Sequence, residues 1–342
     1  MGVVRFILSI CVVIFHSSTY LGIIGYSAVF CFYIMSGYTN SAVLDSKYQQ
    51  NIRGYYINRI LKIYPPYIVI MALTLLILGM SEDPTVLIPC ALQKYSAFEL
   101  LNEVLGGVLT TNGLLVFNGF PTIVPQAWTN SVEIFFYITA PIIVGLHKKK
   151  KKVFYGIVFG STLFPLISFW VGADFPTYRY RCIFGSYFLF LIGSIIYFEL
   201  CGRKYFKHPN MVKYAGIVIY IVSFAIFKEL REMHIWASIL LFVIIILACI
   251  QTTSTKIDAI LGRLSGGVYI SHFFCRAIIY YSSNKSESLK HIWGIGTPQY
   301  VCWMVFLSIF MSMIIYWIIE RPIDKIRRIV YSSKKKEGAV RC

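Results

Sequence analysis

Residues 234–251, HIWASILLFVIIILACIQ, decide the fold class, because eighteen consecutive positions carry no Asp, Glu, Lys or Arg. As a helix this stretch covers about 27 Å, close to the roughly 30 Å hydrocarbon thickness of a bilayer. The stretch IYPPYIVIMALTLLILGMS, residues 63–81, reads the same way. Working outward from these two, apolar runs bounded by charge or by Pro/Gly clusters predict ten spans: 4–22, 24–45, 63–81, 128–147, 153–171, 182–200, 211–230, 234–251, 265–283 and 298–319. The expected fold is therefore an all-α polytopic membrane protein with about ten transmembrane helices.

Composition agrees. Of 342 residues, 57% are hydrophobic and 14% charged, against roughly 45 to 50% and about 25% in soluble domains. Mean hydropathy is +0.68. An aromatic content of 17% excludes intrinsic disorder. The nine cysteines show no CxxC spacing and lie mostly inside apolar runs. They read as buried thiols rather than a disulfide framework or zinc site, and no metal is expected.

The net charge of +17 would suggest nucleic acid in a soluble chain. Here it sets topology, because loops rich in Lys and Arg stay cytoplasmic. With ten alternating spans and an inner N-terminus, 24 of the 32 Lys and Arg residues fall on the inner side, which places both termini in the cytoplasm. A cleaved signal peptide ending near Ser17, Ser18 and Thr19 is the lesser reading of the first span, given nine more behind it. Phe6 at the required Ser/Thr position excludes N-myristoylation. Residues 1–322 form the expected membrane domain and 323–342 a basic cytoplasmic tail, with no appended soluble catalytic domain. The long 82–127 loop carries Glu82, Asp83, Glu99 and Glu103 against Lys94 and belongs outside. Its Gly-rich 98–120 part reads either as a re-entrant segment or as a surface loop.

Ionisable residues within spans are costly and usually face a protein interior. Four stand out: His16, Glu133, His272 and Arg276. Each could also serve only as an interhelical hydrogen-bonding group. Arg5 and His16 are eleven residues apart, about 20° beyond three full turns and roughly 16 Å along the axis. They share a face, with Arg5 at the inner boundary and His16 beyond mid-membrane. Glu133 lies five residues into a helix starting at Trp128, at a depth comparable to His16, where a carboxylate would orient the imidazole. His272 and Arg276 share a face four residues apart. At the inner boundary Arg53, Arg59 and Lys62 interleave with Tyr55, Tyr56, Tyr64 and Tyr67. Such cations hold ligand phosphates, although interfacial tyrosines and topology-setting cations look the same.

These stretches together resemble the integral-membrane acyltransferase type 3 family. Arg5 and His16 fit its Arg-ten residues-His motif, and Val29 to Tyr38 are similar to its Phe-Phe-x-x-Ser-Gly-Phe stretch, with Ser36 and Gly37 in register. Asn58 to Pro65 resemble its Arg-Arg-x-x-Arg-Ile-x-Pro, with Asn58 and Lys62 in place of arginines. Trp128 to Tyr137 resemble its Trp-Ser-Leu-x-x-Glu-x-x-Phe-Tyr element. Leu261 to Ser265 with Tyr269 and His272, then Glu320-Arg321-Pro322, match its later motifs.

The resemblance implies a stand-alone, multi-pass enzyme of the cell (inner) membrane. Its chemistry would be acyl transfer, most often of acetyl from acetyl-CoA, to a hydroxyl or amine of a carbohydrate or lipid-linked glycan. The expected donor-binding residues are Arg53, Arg59, Lys62 and Tyr64, with Arg5 at the mouth. The expected catalytic set is His16, Glu133 and Arg5, with Trp128, Ser36, His272 and Arg276 at the substrate. His16 acting as general base and His16 becoming transiently acetylated are both compatible with the residues. A transporter or flippase is the rival reading, although the paired repeats usual in such folds are not visible. Besides the bilayer, acetyl-CoA and the glycan, a homodimer is an open partner; nucleic acid is not expected.

Overall fold

A computed structural model of the chain describes residues 1–18, 20–88, 91, 94, 96, 123–227, 231–285 and 296–327. Every regular element among them is helical. We number the long helices α1 (Gly2–Ser17), α2 (Ile24–Ser46), α3 (Ile52–Gly79), α4 (Trp128–Lys149), α5 (Lys151–Trp170), α6 (Ile183–Ile195), α7 (Pro209–Ile226), α8 (Arg231–Ile250), α9 (Lys256–Lys285) and α10 (Pro298–Ile315). Wider helical turns flank α6 at Phe175–Arg181 and Ile196–Leu200, and another extends α10 through Tyr316–Glu320. The 98–120 stretch and most of the 323–342 tail lie outside the described residues.

Among the described residues, seven helical segments are long and apolar enough to cross a bilayer: those built on α3, α4, α5, α6, α7, α8 and α10. Ten long helices lie near the expected spans, but only these seven meet the length and composition of a span, so the count of about ten is not reached among the described residues. The other three are informative. α1 has only 16 residues, about 24 Å against a core of roughly 30 Å. It stops before the expected residue 22 because Ser17 and Ser18 turn their hydroxyls back onto the carbonyls of Val13 and Ile14. Gly22, at φ 51°, then reverses the chain into α2. α2 and α9, with 23 and 30 residues, fall short in apolar content. The short α1 joins the other two: it lies against both α9 and α2, and α9 also packs on α10 and α3.

The outer surfaces of the apolar helices present large side chains to the surroundings, among them Leu76, Ile142, Phe159, Trp170, Leu240 and Phe306. Exposed apolar surface on this scale fits lipid as the solvent. Inside, α2 and α6 cross at very short range. A Cβ on Gly37 would stand 1.9 Å from the carbonyl oxygen of Phe190, and one on Gly193 2.0 Å from that of Ile34. Glycine at both positions is what lets the two backbones touch, as small residues do in membrane helix pairs.

Polar clamps fix the two ends of the bundle. At the end rich in Lys, Glu199 accepts from Lys151 at 3.0 Å and lies 2.7 Å from His147 Nε2, while Lys148 pairs with Asp45. At the opposite end Arg179 donates to both oxygens of Glu232, at 2.7 and 2.9 Å, and to the Ala173 carbonyl at 2.8 Å.

One span begins earlier than its sequence suggests. α3 starts at Ile52, not 63, with Asn51 accepting from the Gly54 N–H at 2.9 Å as N-cap. Pro65 and Pro66 therefore sit inside the helix rather than opening it. Having no N–H, they leave the carbonyls of Leu61 and Lys62 without helical donors.

Candidate functional site

α1, α2, α3, α4, α9 and the extension of α10 enclose a cavity of about 340 Å³ in the half of the bundle toward the Lys-rich end. Arg5, Ser36, Lys62 and Glu133 line it, together with Tyr33, Tyr137, Arg263, Tyr269, Glu320, Asp324 and Arg327. Leu61 and Lys62, whose carbonyls lose their i+4 donors to the proline pair, both belong to this wall.

The spacing of polar residues on α2 builds one side. Ser36 and, nearly a turn on, Thr39 lie on a common face. The Ser36 hydroxyl donates to Glu133 Oε1 at 2.6 Å, and the Arg5 guanidinium donates to Thr39 Oγ1 at 3.2 Å. Asn40 turns its amide back to the Ser36 carbonyl and accepts from Tyr55. Glu133 receives a second hydrogen bond from the Tyr137 hydroxyl, 2.9 Å, one turn along α4. The carboxylate is thus held by two hydroxyl donors from two helices.

Glu133 was expected at the depth of His16, orienting its ring. The structure does not bring the two together, and that expectation is corrected. The depth estimate took Trp128 as lying at the membrane surface. Instead α4 starts inside the protein: Ile123, Val124, Gln126 and Ala127 are buried, and Gln126 donates to the Ile270 carbonyl at 2.5 Å. Glu133, seven residues beyond Gln126, lies about 10 Å further toward the Lys-rich end, level with Ser36 and Arg5.

His16 pairs with His272. Their rings stack at 5.1 Å between centroids with 23° between planes, and Phe273 and Phe15 each lie 4.9 Å from His16. The fully buried His272 faces the Tyr269 carbonyl through Nδ1 at 2.6 Å. A carbonyl only accepts, so Nδ1 carries the proton. Nε2 has no partner, and a second proton there would be a buried, unpaired charge. His272 is thus an aromatic wall beside His16.

Neither histidine lines the cavity. The ring of Tyr269, a lining residue, is 5.9 Å from that of His272, and Phe32, also lining, is 6.0 Å from Tyr269. Arg5 and His16 therefore share the interior side of α1, as their spacing predicts, but the Tyr269 and Phe32 rings stand where the cavity ends short of the histidines.

The remaining expected residues divide. Arg59 is buried between the rings of Tyr55 and Tyr137, its guanidinium carbon 5.1 and 5.2 Å from their centroids, and is not part of the cavity wall. Arg53 is exposed and Tyr64 half-buried, both off the wall. Trp128 packs on Tyr180 at 4.8 Å, while its neighbours Thr129 and Asn130 line the cavity instead. Arg276 lies over the Tyr280 ring, 5.2 Å from its centroid, away from the cavity.

Several wall residues went unassigned in the sequence. Arg263 and Glu320 stood within quoted motifs without a role, and Arg327 was counted only as a topology charge. Arg263 donates to the Tyr316 hydroxyl at 2.7 Å. Arg327 donates to Asp324 at 2.6 Å and to Asn58 Oδ1 at 2.9 Å, so a guanidinium from the chain's far end meets the α3 position that holds asparagine.

A family model described as an acyltransferase domain matches residues 1–317. No curated protein and no solved structure matches the chain.

Proposed function

Given that this chain belongs to the acyltransferase type 3 family, we propose that it transfers an acetyl group from acetyl-CoA to a hydroxyl of a carbohydrate or lipid-linked glycan across the inner cell membrane. Family membership favours transfer over transport. The excess of Lys and Arg at one end supports the orientation in this reading, with both termini cytoplasmic. The carrying observation is the cavity at that end, where Arg5 and Lys62 meet the Ser36–Glu133–Tyr137 group, with His16 further along the same helix as Arg5.

In this reading the donor's charged portion rests in the cavity and its thioester arm extends past Tyr269 and Phe32 toward His16. The carbonyls of Leu61 and Lys62, which lose their i+4 N–H donors to Pro65 and Pro66, suit the amide N–H groups of that arm. His16 takes the proton of the acceptor hydroxyl as its oxygen attacks the thioester carbonyl. The carbon–sulfur bond then breaks, and the leaving thiolate recovers the proton from the imidazolium. A positioned base of this kind contributes typically 100- to 10,000-fold in rate. Glu133 does not touch the imidazole. It fixes Ser36 and Tyr137 and offsets the charge of Arg5.

The test is to express the chain in membranes, supply acetyl-CoA radiolabelled in the acetyl group with cell-envelope extract, and follow the label. Label entering a glycan or lipid-linked fraction and released by mild alkali, as an O-ester is, supports the proposal. An envelope left unlabelled by verified, inserted protein refutes it.

A further inference from the structure

The α3 segment that bears the expected donor-binding cations contributes little guanidinium to the cavity. Arg59 is held between two tyrosine rings, Arg53 is exposed and off the wall, and Lys62 is the segment's one cation on the wall among the described residues. A lysine offers a point charge but no planar fork. The wall's remaining guanidiniums come from elsewhere: Arg5 from α1, Arg263 from α9, and Arg327 from ten residues beyond the end of the family match.

Arg327 is placed with unusual care for a residue near the end of the chain. Its Nη1 is on Asp324 and its Nη2 on Asn58, 269 positions away in sequence. Two of its five N–H donors are so engaged, and Nε–H has no partner. Its side chain is 25% exposed and lies on the cavity wall with Lys62 and Arg263. Asn58 serves as a neutral bracket: it fixes the guanidinium without cancelling its charge, whereas a cation at 58 would repel it.

We propose that Arg327 is a phosphate-binding residue of the donor site, gripping the phosphates of the nucleotide end of an acyl-CoA while Asn58 and Asp324 hold its plane. This rests on the donor reading given above and extends it to a residue outside the family match. The expected consequence is separable. Arg327 acts on the phosphorylated end of the donor, far from the thioester, so its loss weakens donor binding and spares turnover.

The experiment compares wild type, Arg327→Ala and Arg327→Lys in detergent or nanodiscs, using acetyl-CoA, S-acetyl-dephospho-CoA and S-acetylpantetheine as donors and equilibrium binding of free CoA as a second readout. For Arg327→Ala we expect KM for acetyl-CoA and Kd for CoA to rise roughly 10- to 100-fold, the range of a lost charge-assisted contact. kcat should change less than about twofold, and KM for S-acetylpantetheine, which has no phosphate, should be unchanged. Arg327→Lys should recover part of the loss. An equal KM increase for all three donors, or none for acetyl-CoA, overturns the assignment. If wild type binds CoA but transfers nothing from any donor, the reaction proposed above fails while the binding comparison still judges Arg327. If wild type does not bind CoA, both fall.

Discussion

Replacing Gly37 by alanine tests how far the site depends on the contact between α2 and α6. The added Cβ would stand 1.9 Å from the Phe190 carbonyl oxygen, about 1.5 Å inside ordinary van der Waals contact. The obstacle is backbone, so no side-chain rotation relieves it and the helices must part by on the order of 1 Å. Ser36 is the preceding residue, and its 2.6 Å bond to Glu133 joins α2 to α4. Moving α2 that far stretches the bond toward or beyond 3.5 Å, where it ceases to be one. Overpacking of this kind costs about 1 to 3 kcal/mol, and a misplacement near 1 Å can cost on the order of 100-fold in rate. Gly37→Ala should therefore lower the Tm of the purified protein and reduce acetyl transfer by about 100-fold, and Gly193→Ala, on the other side of the same contact, should do likewise. The assay is thermal unfolding by intrinsic fluorescence alongside labelled-acetyl transfer. A Gly37→Ala protein with wild-type Tm and activity would show that the helices are not in backbone contact and would refute the reasoning.

Two other substitutions probe separate links. His16→Ala should lose at least about 100-fold in transfer while remaining monodisperse and inserted by size-exclusion chromatography, and retained activity would remove His16 from the chemistry. Glu232→Ala strips Arg179, buried at the opposite end, of its bidentate partner. Breaking a buried pair from one side costs about 3 to 5 kcal/mol, so Tm should fall by several degrees with kcat per folded molecule unchanged. An unaltered Tm would mean the clamp contributes nothing.

The positions of the helices were legible because a bilayer demands long apolar runs, and 234–251 can be little else. Their ends were less so. α1 closes early through serine hydroxyls bonding back to the helix, a local competition that hydropathy does not register, and the proline pair of α3 looked like a boundary because its lost hydrogen bonds fall against a cavity that no sequence window contains. That Arg5 and His16 share one face of α1 followed from helical periodicity, but which helices that face meets did not. Glu133 was placed on the correct inner face but at the wrong depth, since the buried entry of the chain at Ile123 to Ala127 is a tertiary fact. Arg327 was legible only as charge, because its second partner, Asn58, lies 269 positions away in sequence.

The packing of the first helix on the ninth has a consequence for biogenesis. α1 and α2 are made first, yet α9, against which α1 packs, follows some two hundred residues later. Until the ribosome delivers it, Arg5 has Thr39 of α2 beside it, but His16 lacks the His272 and Phe273 rings it packs on. The newborn protein must therefore keep its first hairpin provisional, sheltered by insertion machinery or by water, and the working centre can be assembled only near the end of translation.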